Sequence, residues 1–176
     1  MKKYLLLTLA ILVFASCKPT KENRLKEIGE LEKLTLKEAK EISPQRADSL
    51  LVMYDSYVTD FPEDSNSTLI LFKAADICIN VKYCDRAIAY LERLVSDFPD
   101  SKMSEVASFK MGEAYEKACN NKEKAKEAYK TFAQEHPNSP LANDAEVMYQ
   151  MLDMPDDMEL IRQFEAQNAE TITTEK

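Results

Sequence analysis

Apolar residues return at helical spacing along most of this chain. Between Ser101 and Pro140 they are Val106, Phe109, Gly112 and Tyr115, then Ala125, Ala128, Tyr129 and Phe132. Each set keeps to one side of a 3.6-residue helix. The polar pair Asn120-Asn121 separates the two sets, so the pattern predicts two helices folded back on each other. Gly112 is one of only two glycines in the chain. A helix interior penalises glycine by about 1 kcal/mol relative to alanine. Its place there predicts close approach by the partner helix.

The same pattern recurs upstream. Three corners share their wording: Phe61-Pro62-Glu63-Asp64-Ser65, Phe98-Pro99-Asp100-Ser101 and His136-Pro137-Asn138-Ser139. The prolines succeed one another at 37 and 38 residues, a period that marks a helical repeat array. Proline drives the residue before it out of the α region and ends a helix. The acidic or amide residue favours a turn, and Ser65, Ser101 and Ser139 are the expected caps of the next helix.

Aligned on these corners, Leu69, Phe72, Ala75 and Cys78 match Val106, Phe109, Gly112 and Tyr115. Ala87, Leu91 and Leu94 match Ala125, Tyr129 and Phe132. Residues 65–98 and 101–136 therefore read as two complete repeats. Upstream, Ser43-Pro44 opens a helix with Leu50, Leu51, Tyr54 and Tyr57 inward, proline suiting the first helical position. Its partner lies within residues 22–42, with Leu25, Ile28, Leu31 and Leu34 as the apolar stripe. Thr35-Leu36-Lys37-Glu38 has the form of a capping box, which would divide that partner into two short helices. Downstream, Leu141, Ala145, Met148, Tyr149 and Leu152 form a further first helix. Pro155-Asp156-Asp157 then opens a last short helix carrying Met158, Ile161 and Phe164. A helical domain is expected over residues 24–168, with atypical ends that cap the core. Residues 169–176 form a polar tail.

These residues resemble a tetratricopeptide repeat (TPR). The motif has a small residue followed by Tyr in its first helix, here Gly112 and Tyr115. Its second helix has Ala and then an aromatic, here Ala125 and Tyr129, with Pro137 at the exit. The turn between the helices is one residue longer than the motif. The resemblance implies an all-α, TPR-like α-solenoid of antiparallel helix pairs with an atypical first repeat and C-terminal capping helices. Composition agrees, since 2 glycines and abundant Ala, Leu, Glu and Lys argue against strands and hairpins.

The first residues read as an address. Met1-Lys2-Lys3 is basic, Tyr4–Phe14 is an apolar run, and Ala15-Ser16 are small. This is the layout of a secretory signal peptide over residues 1–16. The run is too short to span a bilayer, which takes about 20 residues. Phe14-Ala15-Ser16-Cys17 resembles the lipobox of bacterial lipoproteins, with Phe14 where an aliphatic residue is usual. The resemblance implies cleavage before Cys17 and diacylglycerol on its sulfur, with residues 17–23 as a lipidated tether. Lys18, rather than Asp, comes after the cysteine. By the familiar sorting rule this favours the outer membrane, with the domain facing the periplasm. The whole chain also resembles small TPR lipoproteins of Bacteroidetes-type bacteria, in particular at Ile161-Arg162-Gln163-Phe164-Glu165. More distantly it resembles the BamD-type lipoprotein of outer-membrane protein assembly and the repeats of the periplasmic protein associated with the Tol-Pal system.

Catalytic chemistry finds little purchase. No HExxH, phosphate loop or nucleophile elbow occurs. The single histidine, His136, fills the corner position of Phe61 and Phe98, which is a structural place. Carboxylates lie among lysines at helical spacing, as in Lys122–Lys130, the mark of a solvated face. No enzyme activity, cofactor or metal is expected. The net charge of -8 counts against nucleic acid as a partner. With Cys17 assigned to lipid, Cys78 reads as a small core residue. Cys84 and Cys119 lie at the same end of adjacent repeats. Sequence leaves them open between a disulfide in an oxidising compartment and two free thiols.

What remains is recognition. The TPR resemblance implies a groove lined by first helices: Leu69, Phe72, Asp76 and Ile79 in one repeat, Val106, Phe109, Glu113 and Glu116 in the next. Such a groove is apolar with acidic edges and suits a protein or peptide segment with basic flanks. The chain's own terminal helices are the competing occupant. The expected function is a non-catalytic adaptor lipoprotein of the cell envelope, in outer-membrane assembly or maintenance. The alternative is a small binding module for peptide or glycan, which the absence of Trp disfavours for sugars.

Overall fold

The computed structural model describes residues 20–36, 42–155 and 161–162. Residues 1–16, expected as a signal peptide, Cys17, expected to carry lipid, Lys37-Glu38 of the expected capping box, Met158, Phe164 and residues 169–176 lie outside the described residues. Among those described, seven α-helices and no strand occur. They are α1 (Lys21–Leu36), α2 (Pro44–Asp60), α3 (Ser65–Asn80), α4 (Cys84–Asp97), α5 (Lys102–Glu113), α6 (Lys122–Glu135) and α7 (Ala142–Met151). A π-helical turn, Ala114–Ala118, continues α5. Within each unit short loops join helices that pack on their neighbours, and the fold is all-α in the TPR manner. The chain divides into two compact units that meet in sequence between Ile70 and Leu71.

In the first unit, α1 packs on α2. Ile28, Leu50, Leu51, Tyr54, Tyr57 and Val58 are buried there, each large side chain contributing about 1.5–3 kcal/mol by leaving water. The α2 residues are the expected ones. Leu34, expected on the α1 stripe, is instead 65% exposed. The α1 helix also runs unbroken through Thr35, so the capping-box reading of that residue fails. Thr35 is buried within the helix. The helix starts at Lys21, with Thr20 Oγ1 accepting the Asn23 N–H at 3.3 Å. Lys21–Asn23, read as the end of the tether, are thus its first turn. Ser43 caps α2 by accepting the Arg46 N–H, with Pro44 at the first helical position.

Asp64, rather than Ser65, caps α3. Its Oδ1 accepts the Asn66 N–H at 2.8 Å and the Tyr57 hydroxyl at 3.1 Å, and its Oδ2 pairs with Lys21 Nζ at 2.6 Å. A carboxylate accepts several donors at once where a serine hydroxyl accepts fewer. The Lys21 hydrogen bond holds the Asp64 carboxyl down to about 2, with the Asn66 and Tyr57 donors adding to it. Burial, then the hydrogen bond to Asp64, pushes the Tyr57 hydroxyl up to about 12.

In the second unit, α4 packs on α5, α5 on α6, and α6 on α7. Ala125, Tyr129, Phe132 and Ala145 form a buried cluster against which Phe109, Tyr115, Leu141, Tyr149 and Leu152 pack. The glycine at position 112 is explained here. A Cβ built on Gly112 would stand 2.4–2.6 Å from three ring carbons of Tyr129. The three corners share one conformation. Phe61 (φ -133, ψ 60), Phe98 (φ -133, ψ 55) and His136 (φ -122, ψ 53) each donate an N–H to the carbonyl four residues back. His136 stacks on Phe132 with ring centroids 4.8 Å apart, a packing role matching the Tyr57–Phe61 pair at 5.1 Å. Ser101 caps α5 through the Met103 N–H. Ser139 accepts the Leu141 N–H one turn before α7 begins and donates to Glu105.

The π turn accounts for the unequal repeat lengths. Among the described residues, Lys82 and Asn120 are the two with positive φ, 64° and 49°, at the ends of the first helices. Pro62 precedes Lys82 by 20 residues, and Pro99 precedes Asn120 by 21. From Lys82 to Pro99 and from Asn120 to Pro137 the count is 17 in both. The additional residue therefore lies between Pro99 and Asn120, where Cys119 donates its N–H five residues back to Ala114. A π turn lets a helix absorb one inserted residue without rotating the residues beyond it.

Candidate functional site

The groove residues of the second unit sit on α3 and α5. Phe72, Asp76, Val106, Phe109, Glu113 and Glu116 are partly exposed there. Ile79 is only 3% exposed and belongs to the core, so its expected place in a groove is corrected. Position 79 lies in the last turn of α3, which ends at Asn80, within about 20° of Phe72 around the helix axis, so packing at that end of the helix and not its direction covers it. Phe109 is also engaged internally. Its ring lies 5.5 Å from both Tyr129 and Phe132, which makes it chiefly a packing residue of the α5–α6 pair. Leu69 belongs to the first unit and is 46% exposed.

Lys110 organises this surface, although no motif in the sequence singles it out. Its Nζ is 2.8 Å from Asp76 Oδ1 and 2.8 Å from Glu113 Oε2. It also stands 5.4 Å from the centre of the Phe72 ring, a cation–π arrangement. Lys117 Nζ holds the other Glu113 oxygen at 2.9 Å. Burial by itself would lower the Lys110 ammonium, but the hydrogen bonds with Asp76 and Glu113 outweigh it and raise it. Burial likewise opposes ionisation of Glu113, and the two lysines overcome it and lower its carboxyl. Two of the carboxylates expected to attract basic flanks are thus already neutralised by the chain's own lysines. Glu116 pairs with no lysine in this network. Its charge, with that of Glu113, adds to burial in raising the Tyr129 hydroxyl. The signal for Lys110 was present in its i, i+3 spacing to Glu113. Its reach to Asp76, 34 residues earlier, was not.

Cys84 and Cys119 form a disulfide with a Cα–Cα distance of 4.7 Å, resolving the open alternative. It ties the start of α4 to the end of the π turn. Lys82 Nζ donates to the Lys117 carbonyl at 2.8 Å beside it. Cys78 is buried and lies outside the disulfide, as expected of a core residue. A separate hollow of about 400 Å³ lies over α4, α5 and α6, lined by Val95, Met111, Tyr115, Lys124 and Thr131. Lys124 Nζ stands 5.4 Å from the Tyr115 ring centre. Among the described residues no group of His, Cys, Asp or Glu is arranged to hold a metal. No described helix is long and apolar enough to cross a membrane.

The tetratricopeptide repeat family model matches residues 84–101 and 106–139. The first stretch is α4 and its corner. The second runs from Val106 through the π turn and α6 to the third corner. Both lie in the second unit, with the Gly112–Tyr129 contact and the corners at Phe98 and His136. TPR domains generally bind protein partners and are typically non-catalytic scaffolds. Among curated proteins, none matches the chain.

Proposed function

We propose that this protein is a non-catalytic adaptor, held by lipid on Cys17 at the outer membrane and facing the periplasm, that binds a segment of an envelope protein. The observation that carries the adaptor reading is the pair of TPR-matching stretches in the second unit, whose first helices leave Phe72, Val106 and Glu116 partly exposed. The envelope placement rests on the signal-peptide layout of residues 1–16 and the lipobox-like Phe14–Cys17. Several acyl chains, at about 0.8 kcal/mol per buried CH₂, would anchor the domain firmly. A role in outer-membrane assembly or maintenance accords with the family resemblance.

The groove is less acidic than the sequence implies, because Lys110 and Lys117 occupy Glu113. Glu116 is the carboxylate left to meet a basic flank of the partner. The test is affinity capture from detergent-solubilised envelopes with the full-length protein and with Val106→Asp/Glu116→Lys. Both positions are partly exposed, so the variant should fold. A partner retained by the wild type should be lost by the variant. A partner set unchanged by the double substitution would remove the groove from the mechanism. Separately, Cys17→Ser should release the protein from membranes into the soluble periplasmic fraction. Retention of that variant on membranes would refute the lipid anchor.

A further inference from the structure

The hollow over α4, α5 and α6 has a cause in the repeat. It measures about 400 Å³, within the range of pockets that take a ligand or a few side chains. Ser108 on α5 and Ala128 on α6 line it. In the preceding repeat the matching positions are Leu71 and Tyr90, and both of those side chains are buried. Two side chains that fill space in one repeat are thus small in the next. Met111 changes in the other sense, standing where the preceding repeat has Ala74. Its unbranched thioether adapts to what lies on it. Tyr115 and Phe132 complete an apolar floor. At about 100° per residue, Ser108 and Met111 lie about 180° around α5 from Val106 and Glu113. The hollow is therefore a second surface, apart from the groove.

The rim differs from the preceding repeat in charge as well. On α4, Arg93 Nε pairs with Asp97 at 3.1 Å, an i, i+4 bridge. The matching positions on α6 are Thr131 and Glu135, both on the rim. The carboxylate is kept and its cation is gone. Glu127 adds a second carboxylate to the rim, where the preceding repeat has Ala89. Both glutamates are exposed, and among the described residues neither pairs with a basic side chain. Lys124, also on the rim, is turned over the Tyr115 ring instead. We infer that this hollow docks a segment of a partner protein that presents one large apolar side chain with an arginine or lysine near it. The apolar side chain takes the space that Leu71 and Tyr90 fill in the preceding repeat, over Met111. The cation takes the part of Arg93 and pairs with Glu135, with Glu127 on the same rim. Arginine suits a carboxylate best, because its fork donates two parallel hydrogen bonds. An apolar anchor inside a charged rim is the usual anatomy of a protein interface. The inference stands independently of whether the groove on the other side of α5 holds a partner.

Two substitutions that copy the preceding repeat test this. Ala128→Tyr fills the hollow, and Thr131→Arg supplies the missing cation. Thr131 is exposed, so that variant should fold, and circular dichroism melts check both. The probes are fluorescein-labelled peptides carrying one leucine or tyrosine and one arginine at varied separations, with citrulline-for-arginine peptides as neutral controls. They are titrated by fluorescence polarisation into the full-length protein in detergent. The wild type should bind the best arginine peptide about tenfold more tightly than Ala128→Tyr does. Thr131→Arg should abolish the preference for arginine over citrulline. Val106→Asp/Glu116→Lys should leave the titration unchanged. A wild type that binds no peptide of the panel more tightly than Ala128→Tyr overturns the proposal. Binding lost in Val106→Asp/Glu116→Lys and kept in Ala128→Tyr assigns the peptides to the groove and overturns it too. So does a wild-type dimer that Ala128→Tyr dissociates in sedimentation, which gives the hollow to a second copy of the chain.

Discussion

At Gly112 two opposing effects of one methyl group can be weighed. Alanine there would gain about 1 kcal/mol of helix propensity. It would also place a carbon under 3 Å from the ring of Tyr129, which is 1% exposed and cannot move aside. Overpacking of this kind costs about 1–3 kcal/mol, and the clash with a rigid ring belongs at the upper end. Gly112→Ala should therefore lower stability by about 1–2 kcal/mol in urea denaturation. Tyr129→Leu should cost less in the Gly112→Ala background than in the wild type, since the smaller side chain removes the clash. Asp64 offers a second test, through pH. Its carboxyl is held at about 2 in the folded protein, against about 4 in an unfolded chain. The folded state thus binds fewer protons in that range. The stabilisation is complete above about pH 4 and disappears as pH falls toward about 2. Asp64→Asn lacks it, so the gap in urea midpoint between wild type and variant should be wide at about pH 5 and close by about pH 2. A gap independent of pH would mean that the carboxylate charge is not what stabilises this corner.

The informative element is the π turn. Ala114–Ala118 stores the one residue by which the Pro99–Pro137 spacing exceeds that of Pro62–Pro99. If it is a neutral store, removing a residue from it should restore an ordinary α-helix and leave Cys119 opposite Cys84. Deletion of the exposed Lys117 should accordingly give a folded protein that still forms the disulfide, with stability within about 1 kcal/mol of wild type. Deletion of the exposed Glu127 in α6 should not be tolerated, because it would rotate Tyr129 and Phe132 by about 100° off the core. Circular dichroism melts and thiol titration of the two deletions decide the point. Comparable damage from both would show that the π geometry itself is required. The spacing of 38 instead of 37 was visible in the prolines, and the longer turn was visible in the motif. Where the residue went depended on backbone hydrogen bonds that no side-chain pattern records.

Across the whole molecule, the disulfide is the long-range constraint in the described structure. It closes a loop of 35 residues from the start of α4 to the end of the π turn. The chain-entropy relation gives about 4 kcal/mol for a loop of that length, as an upper figure. Cys119→Ser should lower the unfolding free energy by about 2–4 kcal/mol, and reductant should have little further effect on it while destabilising the wild type. An equal effect of reductant on both proteins would mean that the bridge does not form in solution. Cys78, a buried thiol outside the disulfide, should stay unreactive to thiol reagents until urea unfolds the domain.

The sequence by itself determined the helices, their pairing and the repeat. Those come from local rules: the 3.6-residue period, proline at the corners, and a glycine that only a packed neighbour would justify. Tertiary structure decided which faces are covered and which charges are spent. Leu34 points to solvent and Ile79 to the core although both obey the period. Lys110 reaches Asp76 across 34 residues and takes over the acidic edge of the groove. Cys84 finds Cys119 where sequence left two options. Each of these depends on the distance between residues far apart in the chain. Periodicity constrains direction around one helix axis, and only packing fixes what stands opposite.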